Sequence, residues 1–266
     1  MKELCADLLA EYRQLASLVE AMTPQQWGQK TPFCGWTPWD QIAHLCFFDE
    51  SALLAAKAPE AFAAETAELQ KQLGGSIDLD TVARARFGHL TGPRLLPYWR
   101  RRFEALVALL SGMDPKARLS WYGPAMSVRS FATARMMETW AHGQDIVDLT
   151  GQQRIVGDGI RNIAHLGAST FGWTFLNRNL PVPEPAPYME LQAPSGESWI
   201  WNGPPSDRHY LLGRAEEFCL VVTQRRNAAD TGLRFGGTAA EWLPIAQCFA
   251  GPPEDPPAPG ARAVRD

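Results

Sequence analysis

The residues best suited to chemistry are Glu138 and His142, four positions apart in the run RMMETWAHGQD. On a helix their side chains differ in direction by about 40° and in height by about 6 Å, so a carboxylate oxygen and an imidazole nitrogen can converge on one point. Both are ligands for a divalent ion such as zinc. His44, on another apolar helix, is the best candidate for a third ligand, and three protein ligands would leave a coordination position for water or substrate. The same residues have plainer readings. An acid and a histidine four apart also form hydrogen-bonded or surface pairs, and a histidine between Ile42 and Leu45 also serves as a core imidazole bonded to Asp40 or to backbone. Asp145, one turn beyond His142, could be a fourth ligand, a group that orients the imidazole or the negative end of a polar network, with the orienting role favoured. Asp49 is expected outside the ligand set, solvated or salt-bridged, and Trp39 and Trp140 could flank a pocket or simply pack.

These side chains need helices to hold them. Leu8, Leu9, Tyr12, Leu15, Leu18 and Val19 predict an amphipathic helix from Met1 to about Ala21. Thr37 as cap, Pro38 at the first helical position and Asp40 in the first turn predict a second over 38–54. Residues 55–78 allow a helix and then a mobile connection at Gly74-Gly75. Helical pattern returns at Asp80. Leu95, Tyr98, Trp99, Phe103, Leu106, Val107 and Leu110 make a strong stripe before Gly112, with Pro97 able to bend it. Ser127 can cap a fourth helix ending near Leu149, with Gly151 as its stop. Four such stripes bury one another in a four-helix bundle.

Beyond residue 151 the pattern shortens. A helix is expected over Ile160–Arg178, a connector over Pro181–Pro187, and strands at Tyr188–Gln192, Ser198–Trp201 and Leu233–Phe235. Asp207–Arg225 and Ala239–Phe249 are helix-compatible. The fold class is therefore α+β: a helical bundle over 1–151, a smaller α/β domain over 152–250, and a proline-rich tail over 251–266 that wraps the surface or stays disordered.

Composition narrows the function classes. The chain has 266 residues, 45% apolar and 20% charged, and 25 basic against 29 acidic residues give a formal charge of −4. No global attraction to nucleic acid or anionic membrane follows, and no RNA-reading or iron–sulfur signature is present. Without a leader pattern or an 18-residue apolar run, cytoplasmic residence is expected, with neither nucleic acid nor membrane as partner. The five cysteines form no disulfide framework or paired metal motif; Cys46 points about 200° away from His44 on an ideal helix and reads as core sulfur. His89, His165 and His209 read as packing, capping or surface groups. Either a monomer or a homodimer is compatible with the sequence.

Two runs together, GWTPWDQIAHL at Gly35–Leu45 and RMMETWAHGQDIVD at Arg135–Asp148, resemble the metal-binding bundle of the mycothiol-dependent maleylpyruvate isomerase family, part of the DinB-like superfamily. The resemblance places His44 on that family's second-helix histidine and Glu138 and His142 on its paired fourth-helix ligands, and implies zinc or another divalent metal. It further implies a small-molecule thiol, mycothiol or another low-molecular-weight thiol, and a small electrophilic substrate. The activity implied is thiol S-transfer or isomerisation with a metal-stabilised thiolate as nucleophile. The runs GRAEEFCLVVTQRR at Gly213–Arg226 and WLPIAQCFAG at Trp242–Gly251 resemble an accessory domain of such bundles and a small C-terminal domain associated by name with wyosine-base formation. Arg214 matches a Gly-Arg position there and is the candidate catalytic contact to a substrate carboxylate. By sequence alone a salt bridge to Glu216 or Glu217 competes, and Arg225 and Arg226 read as a solvated basic cap. Two other functions fit an open three-ligand site: a hydrolase using activated water, and a non-catalytic metal-binding sensor or interaction module.

Overall fold

A computed structural model describes residues 1–72 and 79–262; Gly74-Gly75 lies outside them. The chain divides into two compact units, Met1–Gln152 and Gln153–Asp266.

The first unit is built on four long helices: α1 (Lys2–Glu20), α2 (Pro38–Lys57), α5 (Gly92–Ser111) and α6 (Val128–Thr150). Between α2 and α5 come α3 (Pro59–Gln72) and α4 (Leu79–Phe87), both packed on α2. The flanking helices explain why α2 is apolar around most of its circumference: it buries one side against α5 and the other against α3 and α4. Helix α1 packs on α5 and α6 through Leu8, Tyr12, Leu15 and Val19, all fully buried. Tyr12 stacks on Phe103 at 4.7 Å and meets Trp99 edge-on at 5.7 Å, giving the bundle an aromatic centre.

The ends of the helices are set locally. Thr37 Oγ1 accepts from the Asp40 amide at 3.2 Å while the Asp40 carboxylate accepts from the Thr37 amide at 2.9 Å, a reciprocal cap that fixes the start of α2. Ser127 Oγ accepts from the Ser130 amide at 3.0 Å, and Gly151, left-handed at φ 68°, ends α6. At the start of α5 a Cβ on Gly92 would stand 2.2 Å from Cδ2 of Trp27, so the indole takes the space a side chain would need. A two-residue hairpin, β1 (Arg118–Leu119) with β2 (Met126–Ser127), leads into α6.

The second unit holds a four-stranded sheet in the order β4-β3-β5-β6, from β3 (Tyr188–Gln192), β4 (Ser198–Trp201), β5 (Tyr210–Arg214) and β6 (Arg234–Gly236). β3 runs antiparallel to β4 with Glu190 opposite Ile200, and parallel to β5 with Leu191 opposite Gly213. Met189, Leu191 and Leu211 are buried, whereas Glu190 and Gln192 alternate outward. The helices are α7 (Arg161–Ser169), α8 (Phe171–Asn177), α9 (Ala215–Val222) and α10 (Thr238–Trp242).

Several expectations are corrected here. The helix expected over Ile160–Arg178 is broken at Thr170, whose hydroxyl bonds back to the Leu166 and Gly167 carbonyls. Asp207–Arg225 is helical only over Ala215–Val222: Tyr210–Arg214 is strand β5, and α9 starts at Ala215. Gly213, one residue before the end of β5, has φ 150°, and a Cβ there would lie 2.7 Å from Leu233 Cδ2. Ala239–Phe249 is helical only to Trp242, followed by a short 3-10 turn at Leu243–Ile245. Arg225 and Arg226 are buried rather than solvated, each donating through Nη1 to a carbonyl, those of Thr223 and Arg225. The proline-rich segment wraps the second unit: Gln224 Nε2 donates to the Glu254 carbonyl, Asn227 Nδ2 to that of Pro257, and Asp255 pairs with Arg178. Among the described residues no helix is long and apolar enough to cross a membrane.

Candidate metal centre

Helices α2 and α6 bring His44, Glu138 and His142 together. Glu138 Oε2 lies 3.4 Å from His44 Nε2 and 3.6 Å from His142 Nε2, and one donor atom from each residue falls within 4.8 Å of the others. The two Glu138–histidine separations are long for hydrogen bonds. They are close to the edge, about 3.3 Å, of a tetrahedron whose corners stand about 2.0–2.1 Å from a zinc ion. The donor set and its spacing therefore fit a divalent ion.

Behind His142 stands Asp145, fully buried, with Oδ2 at 3.6 Å from Nδ1. It faces the ring nitrogen turned away from Glu138, the place of a group that orients the imidazole. Neither His142 Nδ1 nor His44 Nδ1 has a hydrogen-bond partner among the described residues, so Asp145 sets a carboxylate near the His142 ring at ion-pair distance without bonding it. Asp40 is not the partner of His44, being bound to Thr37 and to Arg84 at 2.6 Å.

Exposure is graded across the three ligating groups. The side chains of His142, His44 and Glu138 are 3%, 11% and 30% exposed, so solvent reaches the cluster along Glu138. Burial lowers the pKa of His44 to about 4 against the opposing pull of Glu138, leaving the ring neutral with a lone pair to offer. For Glu138 burial acts to raise the pKa, but hydrogen bonds and charge from the two histidines outweigh it and hold the carboxyl well below its ordinary range.

The aromatic walls escaped sequence reasoning. Trp36 lies parallel to the His142 ring at 5.9 Å and tilted to His44 at 5.1 Å, Phe33 meets His142 edge-on at 5.3 Å, and Phe48 meets His44 edge-on at 4.8 Å. Two of these rings come from a loop closed on itself: the Thr31 amide and hydroxyl both donate to the Trp36 carbonyl at 2.8 Å, and the Trp36 amide donates to that of Phe33 at 2.9 Å. Cys34 and Gly35 turn that loop through left-handed conformations at φ 50° and 68°. Gln41 on α2 anchors it by donating to Thr31 Oγ1 at 2.9 Å. The available signal was proximity in sequence, Phe33 and Trp36 preceding the Thr37 cap. Of the two tryptophans considered, Trp39 donates to the Leu90 carbonyl and Trp140 is fully buried.

Arg214 belongs to the second unit. Its side chain is 64% exposed, and Nη2 bonds Glu216 Oε2 at 2.8 Å. Cys46 is fully buried with its thiol pKa pushed up, mainly by burial, which removes it as a nucleophile.

A helical bundle in which two helices bring together two imidazoles and a carboxylate as a candidate metal cluster, followed by a smaller β-containing unit, defines the class of α+β bundle protein to which the chain belongs. Residues 8–147 match the family described as Mycothiol maleylpyruvate isomerase N-terminal domain, and the chain belongs to that family. The uncharacterized proteins MT0041 and Rv0036c, from two strains of Mycobacterium tuberculosis, are each 40% identical to it over 253 residues, 93% of this chain and 95% of theirs. The crystal structure of the mycothiol-dependent maleylpyruvate isomerase shares the fold with a TM-score of 0.55 at 14% identity, over 82% of this chain and 87% of that one. A mutant form of that isomerase gives 0.54 at 13% identity over the same shares.

Proposed function

We propose that this chain is a zinc-dependent, thiol-using isomerase or S-transferase of small electrophilic metabolites, with His44, Glu138 and His142 as the metal ligands. The observation that carries this reading is the approach of two imidazole Nε2 atoms, from two helices, to one Glu138 oxygen at 3.4 and 3.6 Å. Family membership and this cluster support metal-associated isomerase or transferase chemistry. Zinc is favoured by the donor set of two imidazoles and a carboxylate, and mycothiol is the first thiol to try because the family is described by it.

When bound, a divalent ion supplies a Lewis-acid position at which a thiol loses its proton near neutral pH. The protein's own part is positional and electrostatic. Burial keeps His44 neutral, so its Nε2 offers a lone pair. Glu138 stays ionised, and the buried Asp145 carboxylate would orient the His142 ring electrostatically from 3.6 Å. Phe33, Trp36 and Phe48 exclude water behind the imidazoles, leaving the Glu138 side for thiol and electrophile, where confinement raises their effective concentration. With an α,β-unsaturated carbonyl substrate, a thiol held there would supply a nucleophile for reversible addition at the β carbon, which would let the former double bond turn as a single bond. Expulsion of the same thiolate would then restore the alkene in the other geometry, with no oxidant consumed. Arg214 is assigned to a substrate carboxylate, which would exchange with Glu216 for the guanidinium.

The test is metal analysis of the purified protein joined to turnover of maleylpyruvate with mycothiol present or absent. One ion per chain, with thiol-dependent turnover lost on chelation and restored by zinc, is expected. Thiol-dependent turnover that persists after verified removal of metal would overturn the mechanism, and metal-dependent turnover without thiol would assign the site to activated water.

A further inference from the structure

One turn below the candidate ligands lies a second polar cluster that the chemistry above does not use. Asp49 of α2 is fully buried and receives one side chain from each of the other long helices. Tyr12 of α1 donates to Oδ1 at 2.5 Å, Trp99 of α5 donates to Oδ2 at 2.8 Å, and Arg135 of α6 donates to Oδ1 through Nε at 3.1 Å and pairs with it through Nη2 at 3.0 Å. The Arg135 side chain is 3% exposed. Its Nη2 also donates to the Leu45 carbonyl at 3.2 Å, and its guanidinium lies 5.8 Å from the centre of the Phe48 ring.

These contacts fall next to the ligands on both helices. Leu45 follows His44 in sequence, and Phe48 is the ring set against the His44 imidazole at 4.8 Å. Arg135 precedes Glu138 by three residues and His142 by seven, so all three lie on one stripe of α6. The guanidinium thus crosses from the helix that carries Glu138 and His142 to the helix that carries His44. A buried ion pair adds little net stability over apolar side chains of the same volume. It does impose direction, because a carboxylate held by three donor side chains admits one arrangement, whereas apolar faces slide.

We propose that Arg135 and Asp49 are positioning residues of the metal centre: their ion pair sets the spacing and rotation of α6 against α2, and through it the convergence of the two imidazoles on Glu138. The proposal rests on His44, Glu138 and His142 being the ligands.

Two full-length variants test it. Arg135→Lys keeps the buried cation but lacks the fork that reaches Asp49 and Leu45 together. Arg135→Met with Asp49→Asn removes both charges and leaves Tyr12 and Trp99 an acceptor. Cobalt(II) is the probe, read by affinity and by its visible absorption, which reports coordination geometry. Folded variants that bind cobalt at least tenfold more weakly than the parent, with an altered absorption band, are expected. In chelator-treated protein the imidazole NMR signals of His44 and His142, single in the parent, should broaden or double in both variants. Folded variants with cobalt affinity within threefold, an unchanged band and unchanged imidazole signals would overturn the proposal. Failure of both variants to fold would overturn it too, by making the pair a stability element alone. If the parent itself takes up no cobalt, the ligand assignment fails, and the imidazole signals still decide whether the pair orders these rings.

Discussion

The two units of this chain place their polar groups differently. In the bundle, Asp49 and Arg135 are buried and bonded to each other across two helices, and His142 and Asp145 are buried side by side. In the sheet-containing unit, Glu190, Gln192, Arg214 and Arg234 lie outward on the strands, and Glu190 is held by its neighbours Tyr188 and Ser198. A buried polar group is costly unless its partners are fixed, so the bundle invests its geometry in holding a few atoms in place. The sheet turns its charges to solvent and buries an ordinary apolar face. Substitution of charged groups should therefore be severe at the buried cluster of the bundle and mild on the outward face of the sheet.

The strongest way to break that contrast is at the ligands. His44→Ala or Glu138→Ala should lower metal affinity by at least about 100-fold in a protein that keeps its helical circular dichroism, whereas Arg214→Ala should leave metal content unchanged. Metal analysis after dialysis reads both. Next comes Asp49→Ala, which strands the Arg135 charge and should cost about 3–5 kcal/mol in urea unfolding. Glu190→Gln in the other unit should leave the unfolding midpoint where it is, and comparable losses from the two would end the distinction.

Acid sharpens the comparison. Because folding lowers the His44 pKa from 6.5 to about 4, the unfolded chain takes up a proton in that window and the folded chain does not. Stability of the metal-free protein should hold steady above pH 6.5 and decline toward pH 4, by at most about 1.4 kcal/mol per pH unit. His44→Asn should flatten that slope. Glu138, whose pKa is depressed, adds its own loss only at lower pH. The smallest effect concerns packing: Gly92→Ala should cost about 1–3 kcal/mol because its new methyl meets the Trp27 ring. Gly167→Ala should cost less, since the nearest atoms, at 2.9 Å, are side-chain ends of Phe218 and Val222.

Much of the bundle was legible because its signals are local. Thr37, Pro38 and Asp40 announce the start of α2, Ser127 and Gly151 bracket α6, and the three metal-ligand candidates follow from helical spacing and family resemblance. The strands Tyr188–Gln192 and Ser198–Trp201 were equally plain, bounded by proline, glycine and serine. What escaped was set by contacts distant in sequence. Tyr210–Arg214 runs without interruption into an apolar helix, and only its pairing with β3 and β6 makes it a strand. Its clue was the acidic pair Glu216 and Glu217, which marks the first turn of α9. The sequence leaves Asp49 solvated or salt-bridged, and it is buried in an ion pair with Arg135, but nothing in the sequence shows that Tyr12, Trp99 and Arg135 close around it.

The loop from Thr31 to Trp36 is closed by its own hydrogen bonds and held to α2 through one glutamine, while the metal-binding side chains hang from two long helices. It is in effect a replaceable panel on a permanent frame. Exchanging the ring carried at Phe33 or Trp36 would reshape what is admitted beside the imidazoles without rebuilding either helix, so related chains could come to admit different molecules while the three candidate ligands stay where they are.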